Sequence, residues 1–339
     1  MSLTIVIVNW NGGELLLRCL RSVRASRTAF PVQVIVVDND SHDGSREAAQ
    51  REFPEFNIFN SGANLGFGRA NNLARPLTDS ELVLFLNPDT ELKPDTLEKS
   101  VQCLRVHPDV GALGCQMLYP DGTVQEQGIQ WHLTPGRVLM EMLLVSRSTH
   151  RWLGRWLPRL NPHQSGYARK LYGGYLLARK AVLDQAGWFD ERYFMYAEDG
   201  DLSRTIEALG WKLYYTAEAE IIHAAGGTSG QAPSGFSVLM KHESISRMMR
   251  KYHGPPGAFG YRLVVFTGAI FRLLMGGVAW IATTTLRPGD GGKVSRNALF
   301  KSWLMLQWAL GGKKPTVWAS TNPPGNSSTM ASPEAIRPE

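Results

Sequence analysis

Thr4-Ile5-Val6-Ile7-Val8-Asn9 and Val32-Gln33-Val34-Ile35-Val36-Val37-Asp38 decide the fold. Each is a short β-branched run that reads as a strand buried on both faces, and each stops at a polar residue. Between them Leu15, Leu16, Cys19, Leu20 and Val23 recur at helical spacing, with Arg18, Arg21 and Arg24 interleaved. Strand, helix and strand of these lengths make a βαβ unit with parallel strands and a right-handed crossover.

The alternation continues outward. Asn57-Ile58-Phe59 reads as a weak strand, Gly66 to Leu77 as a helix, and Leu82 to Leu86 as a strand ending in Asn87-Pro88-Asp89-Thr90. Ser41 to Ser45 offers a start and cap for another helix. Asp95 to Val106 follows Pro94 as a helix, and Val110 to Met117 as a strand. The fold class is therefore α/β, a doubly wound and mostly parallel sheet, whose ligands bind outside the carboxyl ends of the strands. Asn9/Asn11, Asp38/Asn39 and Asn87/Asp89 all lie at such ends.

Residues 120–170 interrupt the pattern, and the Trp- and Arg-rich stretch 137–160 is expected to form a helix pair or an acceptor-side loop. Tyr172 to Leu177 reads as a strand, Asp199 to Leu209 as a helix closed by Gly210, and Trp211 to Thr216 and Glu220 to His223 as two short strands. From Pro323 the Pro/Ser/Asn-rich tail is expected to be disordered. Division at 240 and 317 gives a catalytic body (1–240, with halves meeting near 118), a helical extension (241–317) and a tail (318–339).

Across 339 residues, 43% hydrophobic and 19% charged excludes a disordered chain. Cys19, Cys103 and Cys115 are too scattered for a disulfide scaffold or a zinc cluster, which points to a reducing compartment. No basic segment precedes the apolar run at 3–8, so no secretory signal is expected. The net charge of +6 hides an asymmetry: residues 1–240 hold 23 Lys/Arg against 26 Asp/Glu, whereas 241–317 hold 12 against 2. A basic, apolar extension on an acidic body suggests an anionic partner surface, membrane or nucleic acid.

Four segments carry chemistry. Asp89, at a strand end, can ligate Mg2+ or Mn2+ that also bridges phosphates, although Asn-Pro-Asp is equally good turn chemistry. In Phe189-Asp190-Glu191-Arg192-Tyr193-Phe194-Met195-Tyr196-Ala197-Glu198-Asp199-Gly200-Asp201, carboxylates sit among aromatic residues that can raise their pKa toward that of a general base. The same residues could cap a helix or complement its dipole. His223 closes an apolar strand ahead of Gly226-Gly227-Thr228-Ser229, as a structural histidine or a ligand. In Asn64-Leu65-Gly66-Phe67-Gly68-Arg69 the glycines allow close backbone approach and the following helix offers an anion-friendly N-terminus. The dehydrogenase Gly-x-Gly-x-x-Gly is absent, since Asn9-Trp10-Asn11-Gly12-Gly13 follows the first strand, and no Walker A pattern occurs.

In order, these pieces resemble the family 2 glycosyltransferases, which have the GT-A fold, and especially their bacterial rhamnosyltransferase-like branch. The matching segments are 5–11, Val36 to Ser45, Asn64 to Gly68, Leu86 to Thr90, Gly187 to Glu191, Tyr196 to Leu202, and His223. The resemblance implies a nucleotide-diphospho-sugar donor, a divalent ion (Mg2+ or Mn2+), and inversion at the anomeric carbon by single displacement. It implies that Asp38 contacts the base beside Asn9 and Asn11, with Asn39, Asn64, Gly66, Arg69 and Asn87 in the donor site. Asp89 and His223 would hold the metal and Asp199 would be the catalytic base. Gly173, Gly174, Trp188 and Glu198 would contact acceptor or sugar. Asn87, neutral and a poorer ligand, stands where the family has the first aspartate of Asp-x-Asp.

Branch resemblance favours dTDP-rhamnose as donor and a cell-surface glycan or polyprenyl-diphosphate-linked acceptor. UDP-hexose or UDP-N-acetylhexosamine donors are the alternative within the same chemistry. A nucleotidyltransferase is less suited, because Gly12-Gly13-Glu14 lacks a basic glycine-rich loop after the first strand. In the extension Arg262, Arg272 and Arg287 interrupt the apolar stretches before either reaches the ~20 residues of a spanning helix. Trp303, Trp308 and Lys301 border a further apolar run. This is the pattern of an in-plane or re-entrant helix on the cytoplasmic membrane face, not of a nucleic-acid stripe. A helical pair packed on the body or on a second copy of a homo-oligomer is the competing expectation.

Overall fold

The computed structural model describes residues 1–125, 129–130, 161–224, 235–286, 291–312 and 315. The expected βαβ unit is present as β1 (Leu3–Asn9), α1 (Gly13–Arg24) and β2 (Val32–Asp38), the two strands parallel with Asn9 opposite Asp38. There follow α2 (Ser45–Glu52), β3 (Asn57–Asn60), α3 (Phe67–Asn72), β4 (Leu82–Leu86), β5 (Thr90–Leu92), α4 (Thr96–Val106) and β6 (Val110–Leu118). After β7 (Ile129–Gln130) come β8 (Gly166–Ala168), β9 (Lys170–Leu171), β10 (Tyr175–Arg179), α5 (Lys180–Ala186), α6 (Glu198–Ala208) and β11 (Lys212–His223). Two helices close the described chain, α7 (Phe236–Leu286) and α8 (Gly291–Ala309).

The main sheet runs β3-β2-β1-β4-β10-β6-β11-β5, with β8 beside β11. Strands β1–β4, β6 and β11 point one way; β10, β5 and β8 oppose their neighbours. The sheet is buried on both faces because its strands alternate between two cores. Leu3, Ile5 and Ile7 of β1 pack with Leu16, Leu20 and Val101, whereas Val6 and Val8 pack with Ala70, Leu202 and Ile206. The carboxyl ends of β1, β2, β4, β6 and β11 therefore share one edge, with the amino end of β10 among them.

Local departures from expectation have local causes. The helix expected over 66–77 is α3 and a separate 3-10 turn at Arg75–Leu77, where Pro76 supplies no N–H. Gly44, left-handed at φ 77°, precedes α2 and no serine side chain caps it; Ser45 Oγ donates to Asp43 instead. The two strands expected over 211–223 are one strand with a register shift between Thr216 and Glu220. Tyr172, Gly173 and Gly174 form the turn into β10 and not its first residues. The stretch 137–160, the loop 226–229 and the tail lie outside the described residues.

The C-terminal helices share a core with the body. Tyr193 and Ala197 pack with Leu239, Met248, Met249, Tyr261, Val265, Leu304 and Trp308. α7 is bent at Gly254, φ 66°, ahead of Pro255 and Pro256. By length and composition it contains a segment, within Phe236–Val278, able to cross a membrane.

Candidate active site

At the ends of β1 and β2, polar side chains are joined to one another. Asn9 Nδ2 donates to Asp38 Oδ1 at 2.8 Å and to Ser45 Oγ at 2.8 Å, and the Ser41 N–H donates to Asp38 Oδ2 at 3.0 Å. Asp38 is fully enclosed. Each carboxylate oxygen accepts one of these hydrogen bonds, and Asp38 thereby fixes the 38–45 loop from behind. Asn39 is used the same way, donating to Asn64 Oδ1 and the Gly66 carbonyl and accepting from the Leu65 N–H. Asn11 and Asn64 are part-exposed at the rim; Asn11, left-handed at φ 50°, accepts from the His42 N–H at 2.8 Å.

Asp89 and His223 come together because β5 pairs antiparallel with the end of β11, His223 opposite Thr90. The Ala224 N–H donates to the Asp89 carbonyl at 2.9 Å, and His223 Nε2 lies 3.5 Å from Asp89 Oδ1. Both side chains are at least nine-tenths buried. On its other nitrogen His223 meets Gln125 Oε1 at 2.9 Å. Asn87 is half-buried alongside, its backbone N–H on the Gly174 carbonyl. Among the described residues no third His, Cys, Asp or Glu joins the pair. A carboxylate beside an imidazole suits Mn2+ or Mg2+ completed by phosphate and water oxygens, so the residues present fit such an ion.

Asp199 opens α6. The Gly200 N–H donates to its Oδ1 at 2.6 Å, the Gly173 N–H to its Oδ2 at 3.3 Å, and Lys170 Nζ stands 3.5 Å from Oδ1. The neighbouring Glu198 is the carboxyl whose acidity burial alters: desolvation, then the charge of Asp199, pushes it to about 8. Its Oε2 is buried with no hydrogen-bond partner. Tyr172 bridges the two groups. Its ring lies edge-on to His223 with centroids 5.9 Å apart. Burial and the charges of Asp199, Asp89 and Glu198 raise its phenol. Sequence reasoning passed over Tyr172, Gln125 and Lys170; the signal for Gln125 was the Tyr119-Pro120-Asp121-Gly122 turn that returns the chain along β6.

The segment before Asp199 is strained and held from outside. Tyr196 and Ala197 are both left-handed, φ 67° and 68°, each costing about 1–3 kcal/mol for a non-glycine residue. Ser244 of α7 donates to the Met195 carbonyl at 2.7 Å. Lys251 of α7 donates to Asp201 Oδ2 at 2.7 Å and Asp190 Oδ2 at 3.0 Å, while the Tyr193 hydroxyl donates to Asp201 Oδ1. Burial alone would raise the Asp190 carboxyl, but hydrogen bonds from Arg192 and Lys251 hold it well below the usual range.

Three further residues expected to meet ligand are packed against protein. Trp188 is a core residue, not a sugar contact: it is 3% exposed, edge-on to Phe85, and its indole N–H donates to Asp184. Gly66 lies close against protein: a Cβ there would overlap the Phe194 carbonyl oxygen, which accepts from the Phe67 N–H at 2.7 Å. Gly174 is enclosed by the Tyr172 ring and Met117, so of the two glycines Gly173 is the one beside Asp199. Arg69 is exposed on α3, 3.8 Å from Glu191.

The sequence profile described as Glycosyl transferase family 2 matches residues 4–176. The chain belongs to this family. It is a glycosyltransferase with the GT-A fold, rhamnosyltransferase-like by its relatives. The N-acetylglucosaminyl-diphospho-decaprenol L-rhamnosyltransferase of Mycobacterium tuberculosis is 32% identical over 274 residues, 74% of this chain and 85% of the relative. Rhamnosyltransferase WbbL of Escherichia coli is 25% identical over 173 residues, 49% of this chain and 63% of the relative. Among solved structures, the mannosyltransferase PcManGT from Pyrobaculum calidifontis, in complex with GDP-Man and Mn2+, superposes with a TM-score of 0.55 at 15% identity, covering 91% of this chain and 86% of that one. The glycosyltransferase described here shares that fold.

Proposed function

We propose that this glycosyltransferase moves L-rhamnose from a dTDP-linked donor to a hydroxyl of a polyprenyl-diphosphate-linked glycan, with inversion. The observation that carries the reading is the meeting of two chemically different groups around Tyr172-Gly173: Asp89 and His223 on one side, Asp199 on the other. The similar mycobacterial protein, named for rhamnosyl transfer to a decaprenol-linked sugar, supplies the substrate class.

Asp89 and His223 would hold Mg2+ or Mn2+, which when bound offsets the charge developing on the leaving diphosphate. Asn11 and Asn64 face the nucleotide, on loops that Asp38 and Asn39 keep in place. Asp199 accepts the proton of the acceptor hydroxyl while that oxygen forms its bond to the anomeric carbon. The bond from that carbon to the diphosphate breaks, and the nucleoside diphosphate leaves with the electron pair. The Gly173 and Gly200 N–H groups orient the Asp199 carboxylate.

The exposed residues Phe259, Leu263, Ile270, Phe271, Leu274, Met275 and Val278 of α7 occupy about 160° of helix circumference. Arg262 and Arg272 lie off that arc, and the Arg262 guanidinium stacks over Trp308 at 5.2 Å. A one-sided apolar stripe on a basic helix pair supports seating in the plane of an anionic membrane surface, where a lipid-linked acceptor resides.

The test is Asp199→Asn in the purified protein with dTDP-rhamnose and a polyprenyl-diphosphate acceptor. Turnover should fall by about 10²–10⁴-fold with donor affinity kept within about threefold. Near-normal turnover would remove Asp199 as the base, and no thermal stabilisation by dTDP-rhamnose with Mn2+ would remove the donor assignment.

A further inference from the structure

Gln125 is 1% exposed and lies 98 positions before its partner His223, yet it makes a two-point contact with it. The route is built by a turn: Gly122, left-handed at φ 84°, returns its N–H to the Tyr119 carbonyl, and Val124 bridges back to Leu118. The Gln125 N–H then donates to the Met117 carbonyl at 2.8 Å, which fixes the side chain at the end of β6.

The orientation of its amide follows from chemistry. Gln125 Nε2 lies 2.7 Å from the His223 carbonyl and 3.3 Å from that of Leu118. Carbonyl oxygens only accept, so the NH2 group must face them and Oε1 must face His223 Nδ1. An amide oxygen also only accepts; Nδ1 must therefore carry the proton. Nε2 is the nitrogen left to face a metal, 3.5 Å from Asp89 Oδ1.

We propose that Gln125 is a positioning residue that imposes the Nδ1–H tautomer on His223 and so leaves Nε2 to donate its lone pair to a metal beside Asp89. The inference rests on the metal-site reading above. A histidine ligand whose distal N–H is held by a hydrogen-bond acceptor has a set ring orientation and greater donor strength, and loss of such a partner costs about 10–100-fold in metal affinity. Gln serves here better than a carboxylate would, because only an amide can satisfy the two backbone carbonyls and the Nδ1–H together.

The experiment uses full-length protein with 15N-labelled histidine, the His223 resonances assigned by their loss in His223→Ala. Without metal, the wild type should show His223 as the Nδ1–H tautomer. Gln125→Leu should lose that tautomer and bind Mn2+ 10–100-fold more weakly, read from the free-ion electron paramagnetic resonance signal. Gln125→Glu keeps an acceptor at Nδ1, whether ionised or protonated. It should keep the tautomer and hold Mn2+ affinity within about threefold, and it serves if Gln125→Leu fails to fold. A folded Gln125→Leu that retains the Nδ1–H form, or a folded Gln125→Glu that abandons it, overturns the proposal. If instead His223→Ala binds Mn2+ as tightly as the wild type, the metal-site reading fails, and the metal-free tautomer measurement still decides the role of Gln125.

Discussion

Replacing Lys251 by methionine keeps the aliphatic stem and deletes one charge at the junction of α7 with the catalytic body. Asp201 has 3% of its side chain exposed and Lys251 29%, so the pair is mostly shielded from water. At 2.7 Å and an effective dielectric near 20, the gross attraction is about 6 kcal/mol. Most of it is offset by desolvation, and removing one partner of a buried pair costs about 3–5 kcal/mol. The lower end applies here, because Lys251 retains some water and Asp201 keeps the Tyr193 hydroxyl. Lys251→Met should therefore destabilise the protein by about 3 kcal/mol, a loss of roughly 4 °C in Tm for a chain of 339 residues.

Asp201→Asn alone should cost less, since Lys251 still reaches Asp190. The double variant leaves no uncompensated charge at Asp201, so the two effects should fall short of adding by about 1.5–3 kcal/mol. Urea unfolding of the four proteins measures this. The same cycle read in turnover should show Lys251→Met lowering kcat about tenfold or more with donor KM within twofold, because the displaced part is the Asp199 segment and not the donor site. Additive stabilities, or a Lys251→Met protein within 1 kcal/mol of wild type, would refute the idea that α7 holds that segment through charge.

Other outcomes follow from single residues. Glu198, raised by burial from 4.5 to about 8, binds its proton more tightly folded than unfolded. Its contribution to stability is complete below pH 4.5 and is lost as pH rises from there through 8; Glu198→Gln should therefore gain in Tm relative to the wild type between pH 4.5 and 8, with no further gain above 8. Gly66→Ala meets the Phe194 carbonyl at a positive φ, and should lower stability by about 3 kcal/mol or more even without any ligand, measured by urea unfolding. Leu274→Asp with Val278→Asp should abolish sedimentation with anionic liposomes at low salt while leaving transfer to a water-soluble acceptor analogue intact; unchanged sedimentation would detach the α7 stripe from the membrane.

Most of the nucleotide-side half of the fold was legible, because β1, β2 and β4, unlike β3, are apolar runs whose polar end marks the sheet edge. Val32–Asp38 and Leu82–Leu86 are instances in which local pattern and burial agree. Asp89 and His223 were each legible as polar ends of apolar strands, and their pairing was implied only by the family resemblance. What local pattern could not show was direction of use. Asp38 and Asn39 have the chemistry of ligand contacts, but the loops they join need their hydrogen bonds, and only the tertiary arrangement reveals that competition. Trp188, expected from the resemblance to contact acceptor or sugar, is instead enclosed by Phe85 and Asp184. Gln125 was illegible for a different reason: its partner is remote in sequence, and a lone glutamine carries no periodic signal.

The two halves of the site are held by different physics, and this bears on what can move. Asp89 and His223 are tied into paired strands, so displacing either breaks a ladder of backbone hydrogen bonds. Asp199 instead follows two left-handed residues, and the relaxed conformations of Tyr196 and Ala197 would carry it away from Gly173. The opposing contacts come from Lys251, Ser244 and Tyr252, all on the part of α7 before the bend at Gly254. The exposed apolar stripe lies on the part after that bend. Strain at 196–197 and packing against α7 thus set the position of the carboxylate between them, and an element that shares a core with Tyr193 and Ala197 also presents its apolar face outward. If that face seats on a membrane, any change in the angle at Gly254 reaches Asp199 through these three side chains of α7, whereas the metal-side residues, anchored in the sheet, stay where they are.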